Sequence, residues 1–593
     1  MSLSSRIRGF VGDYLLVLGR SARQLPMVLV SILAISALDL LAVALVAPFT
    51  AAMMGQEVRF AGLELGIIGS NSNRRMFGWL GLTIMIVFVV KAFAGFRLTR
   101  WINRFSERRR AELMVELLHG LQHKPYTYHL QRNSVDLVSR LLTLTGAYSG
   151  AVLASSLRLC ADGIVALALS VMLLWRDPMA FCILLLVLGA VFYLVNRHIR
   201  PRLAHASTNY YRCAGEAGVA VAQALGALRE VRLLGREQFF RERLGAAATE
   251  MSEHVGVQQS LSQVPRLAVE AAVVCFLVLL SWITLAQGRE LHALIAVLGM
   301  FAVAAMRMMP ATTSILTSFS TLRSHRVQLA ELAAELRTLA AEQHPAATPA
   351  EVGSVLGEQF QSVALCGACF TYDARAQPAL EGVDLRIDRG QVVGIMGRSG
   401  AGKSTLADVM LGLLELTAGQ MRVNGQVLDA STLRHWQRMV AYIPQSVFLV
   451  DDSVRRNIAL GVPDAEIDTE RLEQAVRQAQ LAEVVAGLPQ GLDTQLGERG
   501  VRLSGGQRQR IAVARALYHE REFIIMDEAT SALDAETERE LIEAIGALHG
   551  KKTLLVIAHK ATVLEEADVI HHFEAGRLVR STHPRQDRLA SRS

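Results

Sequence analysis

Hydrophobic residues in the first half of the chain come in long unbroken blocks, not in the short alternations of a water-soluble domain. Spanning a bilayer takes about 20 mostly apolar residues, because every backbone N–H and C=O must find its partner inside the helix. Stretches 26–53, 76–98, 149–175, 179–196, 267–286 and 291–316 meet that demand and predict six membrane helices. Beyond residue 322 the pattern changes. An Ala/Leu/Glu helix runs to about Glu342, and a Pro/Ala stretch at 344–349 reads as a linker. After it, strand-like runs at 391–396, 523–527 and 553–558 and a helical run at 406–414 predict an α/β domain. The boundaries this implies are 1–330 for an all-α six-helix membrane domain, 331–357 for a linker and 358–593 for the α/β domain.

The polar connections set the orientation. Connections 176–178 and 287–290 carry one basic residue each, whereas segments 97–140 and 197–243 and the region after 322 are rich in Arg. Positive charge stays inside, so both termini and the α/β domain are expected in the cytoplasm. The two long connections then hang into the cytoplasm as helical extensions. They turn near 125–128 and 226–235, each expected to form a short coupling helix. Residues 55–75, with an apolar stretch at 60–68, read either as a short external helix on the membrane surface or as a disordered loop.

Composition agrees with a membrane setting. The 593 residues exceed what one core organises, and 51% are hydrophobic while only 19% are charged. Soluble domains carry about 25% charged residues. The net charge of +7 is concentrated between apolar blocks, which argues for membrane lipid and against nucleic acid as a partner. Cys160, Cys182 and Cys275 lie in apolar runs and Cys213 in a basic connection, so reduced thiols are expected. Cys366 and Cys369 lack a second ligand pair, and His119 and His123 lack the Glu of a metalloprotease motif, so neither pair predicts a metal site. Arg6, Arg8, Arg20 and Arg23 scatter through an amphipathic start without a cleavage motif, which reads as no removable signal.

The chemistry is concentrated after residue 370. Gly397-Arg398-Ser399-Gly400-Ala401-Gly402-Lys403-Ser404-Thr405 follows a strand-like run and opens a helix. This is a P-loop: backbone N–H groups close around phosphate oxygens at a helix N-terminus, Lys403 neutralises the β and γ phosphates, and Ser404 ligates Mg²⁺. Phe523 to Met526 form a buried strand ending in Asp527 and Glu528. One carboxylate suits Mg²⁺ and the next suits polarising the attacking water.

Between them, Leu503-Ser504-Gly505-Gly506-Gln507 resembles the signature of the ATP-binding cassette family, and the pattern matches over about the last 235 residues. The resemblance implies that Gln445 touches Mg²⁺ and the membrane domain, that Ser531 to Asp534 form the D-loop, and that His559 contacts the γ-phosphate. It also implies that Tyr372 stacks on adenine. Segment 494–500 resembles the one that marks exporters. In that family the P-loop of one subunit and the signature of another enclose each ATP. A dimer is therefore implied, with an identical copy favoured because Glu528, Ser504, Gly506 and His559 are intact; a related half-transporter is the alternative.

Cargo is read from the membrane half. Asp39, Lys91, Arg158, Asp162, Arg266, Glu270 and Arg307 are ionisable residues within predicted spans, where charge is costly. Arg158 with Asp162, and Arg266 with Glu270, can pair along one helix face. Lys91, Arg266 and Arg307 are candidates to line a cavity for an anionic headgroup. Residues 264–270, 305–310 and the insertion between the first two helices resemble the lipid-linked oligosaccharide flippase of bacterial protein N-glycosylation, although Ser314 stands where that family has a basic residue. The resemblance implies flipping of a lipid-linked oligosaccharide or related glycolipid across the bacterial inner membrane. Met300, Phe301, Met306, Met308 and Met309 leave open a multidrug pump or plain core packing. A channel or regulatory receptor on the same fold is the remote alternative.

Overall fold

The computed structural model describes residues 3–45, 49, 59–60, 63–64, 70–132, 134–286, 291–342, 357, 359–372, 377–497, 503–528 and 535–584. It divides into two compact units. One comprises Met1–His123 with Asn133–Glu342, the other Lys124–Arg132 with Gln343–Ser593.

The first unit is helical. Its elements are α1 (Leu3–Leu18), α2 (Leu25–Ala44), a hairpin of β1 (Arg59–Phe60) and β2 (Leu63–Glu64), and α3 (Ser70–Gln122). The short α4 (Tyr126–Leu130) belongs to the second unit. The first unit continues with α5 (Ser134–Gly146), α6 (Ala154–Arg176), α7 (Pro178–Leu194), α8 (Arg200–Gly226), α9 (Leu228–Leu233), α10 (Glu237–Ala286), α11 (Leu291–Ser324) and α12 (Arg326–Glu342).

Among the described residues, five helical stretches are long and apolar enough to cross a membrane: Arg8–Ala44, Gly78–Gln122, Arg140–Trp175, Pro178–Ile199 and Glu237–Ile283. The predicted span at 291–316 coincides with α11, many of whose side chains, Arg307 included, lie outside the described residues. At 1.5 Å per residue, the 53 residues of α3 and 50 of α10 run for roughly 75–80 Å, far beyond the ~30 Å apolar core of a bilayer. These are the extensions expected from the Arg-rich connections, and short helices α4 and α9 stand at the expected turns.

The connection between α2 and α3 differs from its sequence reading where it is described. Where a surface helix or a disordered loop was expected, Arg59 pairs with Glu64 and Phe60 with Leu63 in an antiparallel hairpin. Each strand is only two residues long, and the rest of the segment 55–69 lies outside the described residues.

Packing among the described residues of this unit centres on two large cores, with a small third one around Val269 and Val273. Ile102, Phe105, Leu113, Tyr148, Val152, Leu329 and Leu332 form one of the large ones. Beside it, Arg109 is buried and donates through Nε (3.0 Å) and Nη2 (2.7 Å) to the Val17 carbonyl. A guanidinium there satisfies a C-terminal carbonyl of α1 and complements the helix dipole. The other large core gathers Leu169, Leu173, Leu184, Phe276, Phe301 and Met308. Phe301 and Met308 therefore pack inward, which is the core-packing reading of the Met-rich segment. Outward, Trp79, Val89, Phe93, Leu185 and Leu186 are exposed, an apolar surface suited to lipid tails.

The second unit has two sheets. The antiparallel one has the order β4-β3-β6-β7, from β3 (Ser362–Phe370), β4 (Leu380–Asp388), β6 (Ala418–Val423) and β7 (Gln426–Val427). Cys366 and Cys369 sit in β3 astride a register irregularity, and the Gly382 N–H donates to Cys369 Sγ at 3.2 Å. The larger sheet has the order β12-β11-β5-β10-β9-β8, from β5 (Val392–Gly397), β8 (Val440–Ile443), β9 (Phe523–Asp527), β10 (Thr553–Ile557), β11 (Val569–Glu574) and β12 (Arg577–Thr582). All its pairings are parallel except β11 with β12.

Parallel strands covered on both faces are apolar at consecutive positions. On β9, Phe523 and Ile525 enter the core containing Phe360 and Trp436, while Ile524 and Met526 enter the opposite core with Ile511 and Val513. Strand β10 divides in the same way, Leu555 and Ile557 against Leu554 and Val556. That two-sided burial explains why the sequence shows short unbroken hydrophobic runs here.

Candidate functional site

Parallel strands deliver their C-terminal ends to one edge, and in open α/β sheets that edge is where ligands bind. The register aligns Ile395 of β5 with Ile557 of β10, and Ile557 with Asp527 of β9. Chain leaving this row carries the P-loop after β5, Glu528 after β9 and His559 after β10. Gln445 follows β8 by two residues.

The P-loop runs from Gly397 into α13 (Lys403–Met410). Gly402 has φ +106°, and a Cβ there would lie 2.4 Å from the Ala379 carbonyl oxygen; a Cβ on Gly397 would lie 2.2 Å from that of Phe573. Only glycine fits either position. Lys403 is buried, and its Nζ donates to the carbonyls of Gly397 (2.9 Å) and Arg398 (3.1 Å). Arg398, Ser399, Gly400 and Ser404 are exposed along the loop, whereas Ala401 and Thr405 are buried beneath it.

Glu528 is the centre of the constellation. Its φ of +47° is unusual for a residue with a Cβ, and its N–H is held by the Ile557 carbonyl at 2.9 Å. The resulting turn brings its carboxylate 2.6 Å from His559 Nε2, 3.0 Å from Gln445 Nε2 and 3.7 Å from Lys403 Nζ. Asp527 is buried, and its carboxylate accepts from Tyr442 Oη at 3.3 Å and from the Ser404 hydroxyl. Burial raises the pKa of Asp527 against those two hydrogen bonds.

Tyr442 and Asp408 were not singled out from the sequence. Asp408 lies one helical turn beyond Ser404, so α-helical spacing was the signal for it; Tyr442, two residues from the Asp527 row of the sheet, had no comparable mark. Burial first, and then the Asp527 carboxylate, push the Asp408 pKa up from 3.8 to about 6. A carboxyl with a raised folded pKa binds its proton more tightly in the folded state. Its contribution to stability is fully present below about pH 3.8 and is lost as pH rises through about 6. Asp408→Asn should therefore melt higher than wild type at neutral pH, with the gain shrinking as pH falls below about 6. Thermal melts of the purified protein across that range check this; a gain independent of pH would exclude the carboxylate charge as its source.

The signature region opens α14 (Gly505–Tyr518). Ser504 caps it: its side chain accepts from the Gln507 N–H, and Gln507 Oε1 accepts from the Ser504 N–H at 3.0 Å. Ser504 is exposed and Gly506 buried, which leaves a capped helix N-terminus open to a partner. Tyr372 follows β3, half-buried, with its ring edge-on to Phe370 and its hydroxyl 3.2 Å from Thr405 Oγ1. Tyr126 of α4 packs against the same core, next to Tyr372. Asp534, with the rest of the D-loop, and residues 498–500 of the exporter segment lie outside the described residues.

Comparison with known proteins covers both units. Residues 29–308 match the ABC transporter transmembrane region and residues 380–531 the ABC transporter family. An ATP-dependent lipid A-core flippase of Cupriavidus metallidurans is 30% identical over 501 residues, which is 83% of this chain and 82% of that protein. The chain belongs to the ABC transporter family. A flippase of the same description from Vibrio cholerae is 29% identical over 528 residues, 87% of each chain. In fold, the transporter is similar to a bacterial Atm1-family ABC exporter with ATP bound, with a TM-score of 0.76 over 96% of both chains at 22% identity. It is a half-transporter of the exporter type, and its cassette binds ATP and couples hydrolysis to transport.

Within the transporter's membrane unit, one of the three cavity candidates changes meaning. Lys91 forms an ion pair with Asp39 of α2, which is fully buried, and stands over the Phe88 ring. A charge in a low-dielectric interior must be paired, and sequence separation hid this pair because α2 and α3 lie side by side. Arg266 is exposed on α10 beside Pro265, and Arg158 donates to Asn103 Oδ1 at 3.2 Å. A cavity of about 680 Å³ opens between α7, α8, α10 and α11. Its walls combine Phe192, Ile199, Leu261 and Phe319 with Gln258 and Arg323, and neither Lys91 nor Arg266 lines it.

Proposed function

We propose that two copies of this chain form an ATP-driven flippase of the bacterial cytoplasmic membrane whose cargo is an amphipathic glycolipid. The observation that carries the reading is the Glu528 carboxylate held among His559, Gln445 and Lys403 on a chain whose relatives across both units are flippases.

In this reading the P-loop N–H groups from Gly397 to Thr405 and the Lys403 ammonium hold the β and γ phosphates, and Tyr372 stacks on the base. Ser404, Asp527 and the side-chain oxygen of Gln445 form an all-oxygen donor set, which fits a hard cation, and they would hold Mg²⁺. Bound there, the ion would offset phosphate charge. Glu528 accepts the proton of the attacking water, and His559 orients that carboxylate and reads the γ-phosphate. Ser504, Gly505, Gly506 and Gln507, with Asp534, complete the site from the second copy. Both termini and the cassette face the cytoplasm, so closure of two cassettes on ATP is transmitted through α4 and α9 to the membrane helices.

For cargo, the mixed apolar and polar lining of the 680 Å³ cavity suits an acyl chain joined to a polar head. Relatives named as lipid A-core flippases favour a glycolipid of the lipid A-core type. The exposed Arg266 and the 264–270 resemblance keep a lipid-linked oligosaccharide as the second reading, while the Lys91–Asp39 pair weakens it by removing one cation from the headgroup set. Proteoliposomes decide the matter. ATPase stimulation by a lipid A-core glycolipid at lower concentration than by a polyprenyl-pyrophosphate glycan is the expected result. The reverse order supports the second reading, and stimulation by cationic drugs alone excludes both.

A further inference from the structure

Helices α8 and α10 form the two arms of the hairpin that carries α9, and one cluster between them has no part in nucleotide chemistry. Cys213 of α8 is buried; Glu250 and His254 of α10, four residues apart, share one face and are half-buried. Their ligand atoms all lie within 4.8 Å of one another, and among the described residues this is the one such group of His, Cys and acidic side chains. We propose that Cys213, Glu250 and His254 bind a zinc-class divalent ion that clips the two arms together.

The donor types choose the ion. A thiolate, an imidazole and a carboxylate suit zinc or its borderline neighbours, whereas magnesium and calcium prefer oxygen throughout. The spacing is close to what such an ion needs. Bonds of about 2.0–2.3 Å in a tetrahedral site put ligand atoms roughly 3.3–3.8 Å apart. His254 Nε2 and Glu250 Oε1 already stand at 3.6 Å, and side-chain rotation of about 1 Å brings the sulfur in. The fourth position falls to water. On binding, the Cys213 S–H bond breaks, its proton passes to solvent and an S–metal bond forms.

The competing account is a hydrogen-bonded helix pair, because Arg212 reaches Glu250 and also Glu216, the latter at 2.9 Å. The two accounts diverge at Arg212. If Glu250 is a metal ligand, Arg212 competes with the ion, and its removal frees the carboxylate. If the cluster is only structural, removing Arg212 loosens it. Cys213 lies fifteen residues before Leu228, about 22 Å along α8, so an ion here stiffens the lever that carries α9.

The test uses the full-length, nucleotide-free protein in nanodiscs, titrated with Co²⁺ as a spectroscopic stand-in for zinc. One equivalent per chain should give a thiolate-to-cobalt charge-transfer band. Cys213→Ser should remove the band, which also separates this site from Cys366 and Cys369. His254→Ala, at a partly exposed position, should weaken binding by roughly tenfold or more. Arg212→Ala should tighten it. A wild type without the band, a band that persists in Cys213→Ser, or weaker binding in Arg212→Ala overturns the proposal.

Discussion

Glu528→Gln should leave ATP binding near the wild-type level while steady-state hydrolysis falls by about 10²–10⁴, the usual contribution of a positioned general base. The carboxamide keeps the shape of the side chain and can still meet Gln445, so the strained turn after β9, held by the Ile557 carbonyl, has no reason to change. What is lost is proton affinity. The close contact with His559 Nε2 at 2.6 Å also changes from a charge-assisted bond to a neutral one. Because binding survives and turnover does not, the variant should accumulate as an ATP-bound dimer. Size-exclusion chromatography with ATP, alongside phosphate release, reads both effects. Hydrolysis within about tenfold of wild type would remove Glu528 from the base role.

The cassette was legible in the sequence because its chemistry depends on contiguous or near-contiguous residues. A P-loop needs glycines at fixed offsets where a Cβ would strike the Phe573 or Ala379 carbonyl, so the motif itself encodes the backbone. Strand β9 reads as buried because both of its faces are covered, and its end marks Asp527 and Glu528 without any knowledge of the sheet order. Asp408 and Tyr442 escaped because their importance comes from Asp527, more than eighty residues further on, and only the fold brings them together. Five of the six predicted spans were legible among the described residues, because backbone satisfaction in lipid dictates long apolar helices, but the pairing of the charges was not. Lys91 and Asp39 sit about fifty residues apart with a poorly patterned connection between them, and no local spacing rule relates them. The hairpin at Arg59–Glu64 was missed for a different reason: two residues on each strand are too few for any strand period to show in the sequence.

Lys403→Ala should fail one step earlier than Glu528→Gln, at nucleotide binding. The Lys403 side chain is 5% exposed and its ammonium donates to the Gly397 and Arg398 carbonyls, so it braces the loop as well as serving the proposed phosphate site. Truncation removes a charge-assisted contact worth about 1.5–3 kcal/mol, and it leaves both carbonyls without that donor. An ATP affinity roughly ten- to a hundredfold weaker is expected from these terms, measured by equilibrium titration with a fluorescent ATP analogue. Lys403→Arg should not rescue it, because a planar guanidinium does not match the buried position of a compact ammonium beside two carbonyls. Lys403 Nζ lies 3.7 Å from Glu528 and 3.5 Å from His559 Nε2, so the two variants are not independent. The double variant should bind as poorly as Lys403→Ala and hydrolyse no more slowly than the worse single variant, since residues in one charge network lose their effect together. Additive losses in the double variant would instead separate phosphate binding from proton transfer, and would divide the single constellation around Glu528 into two.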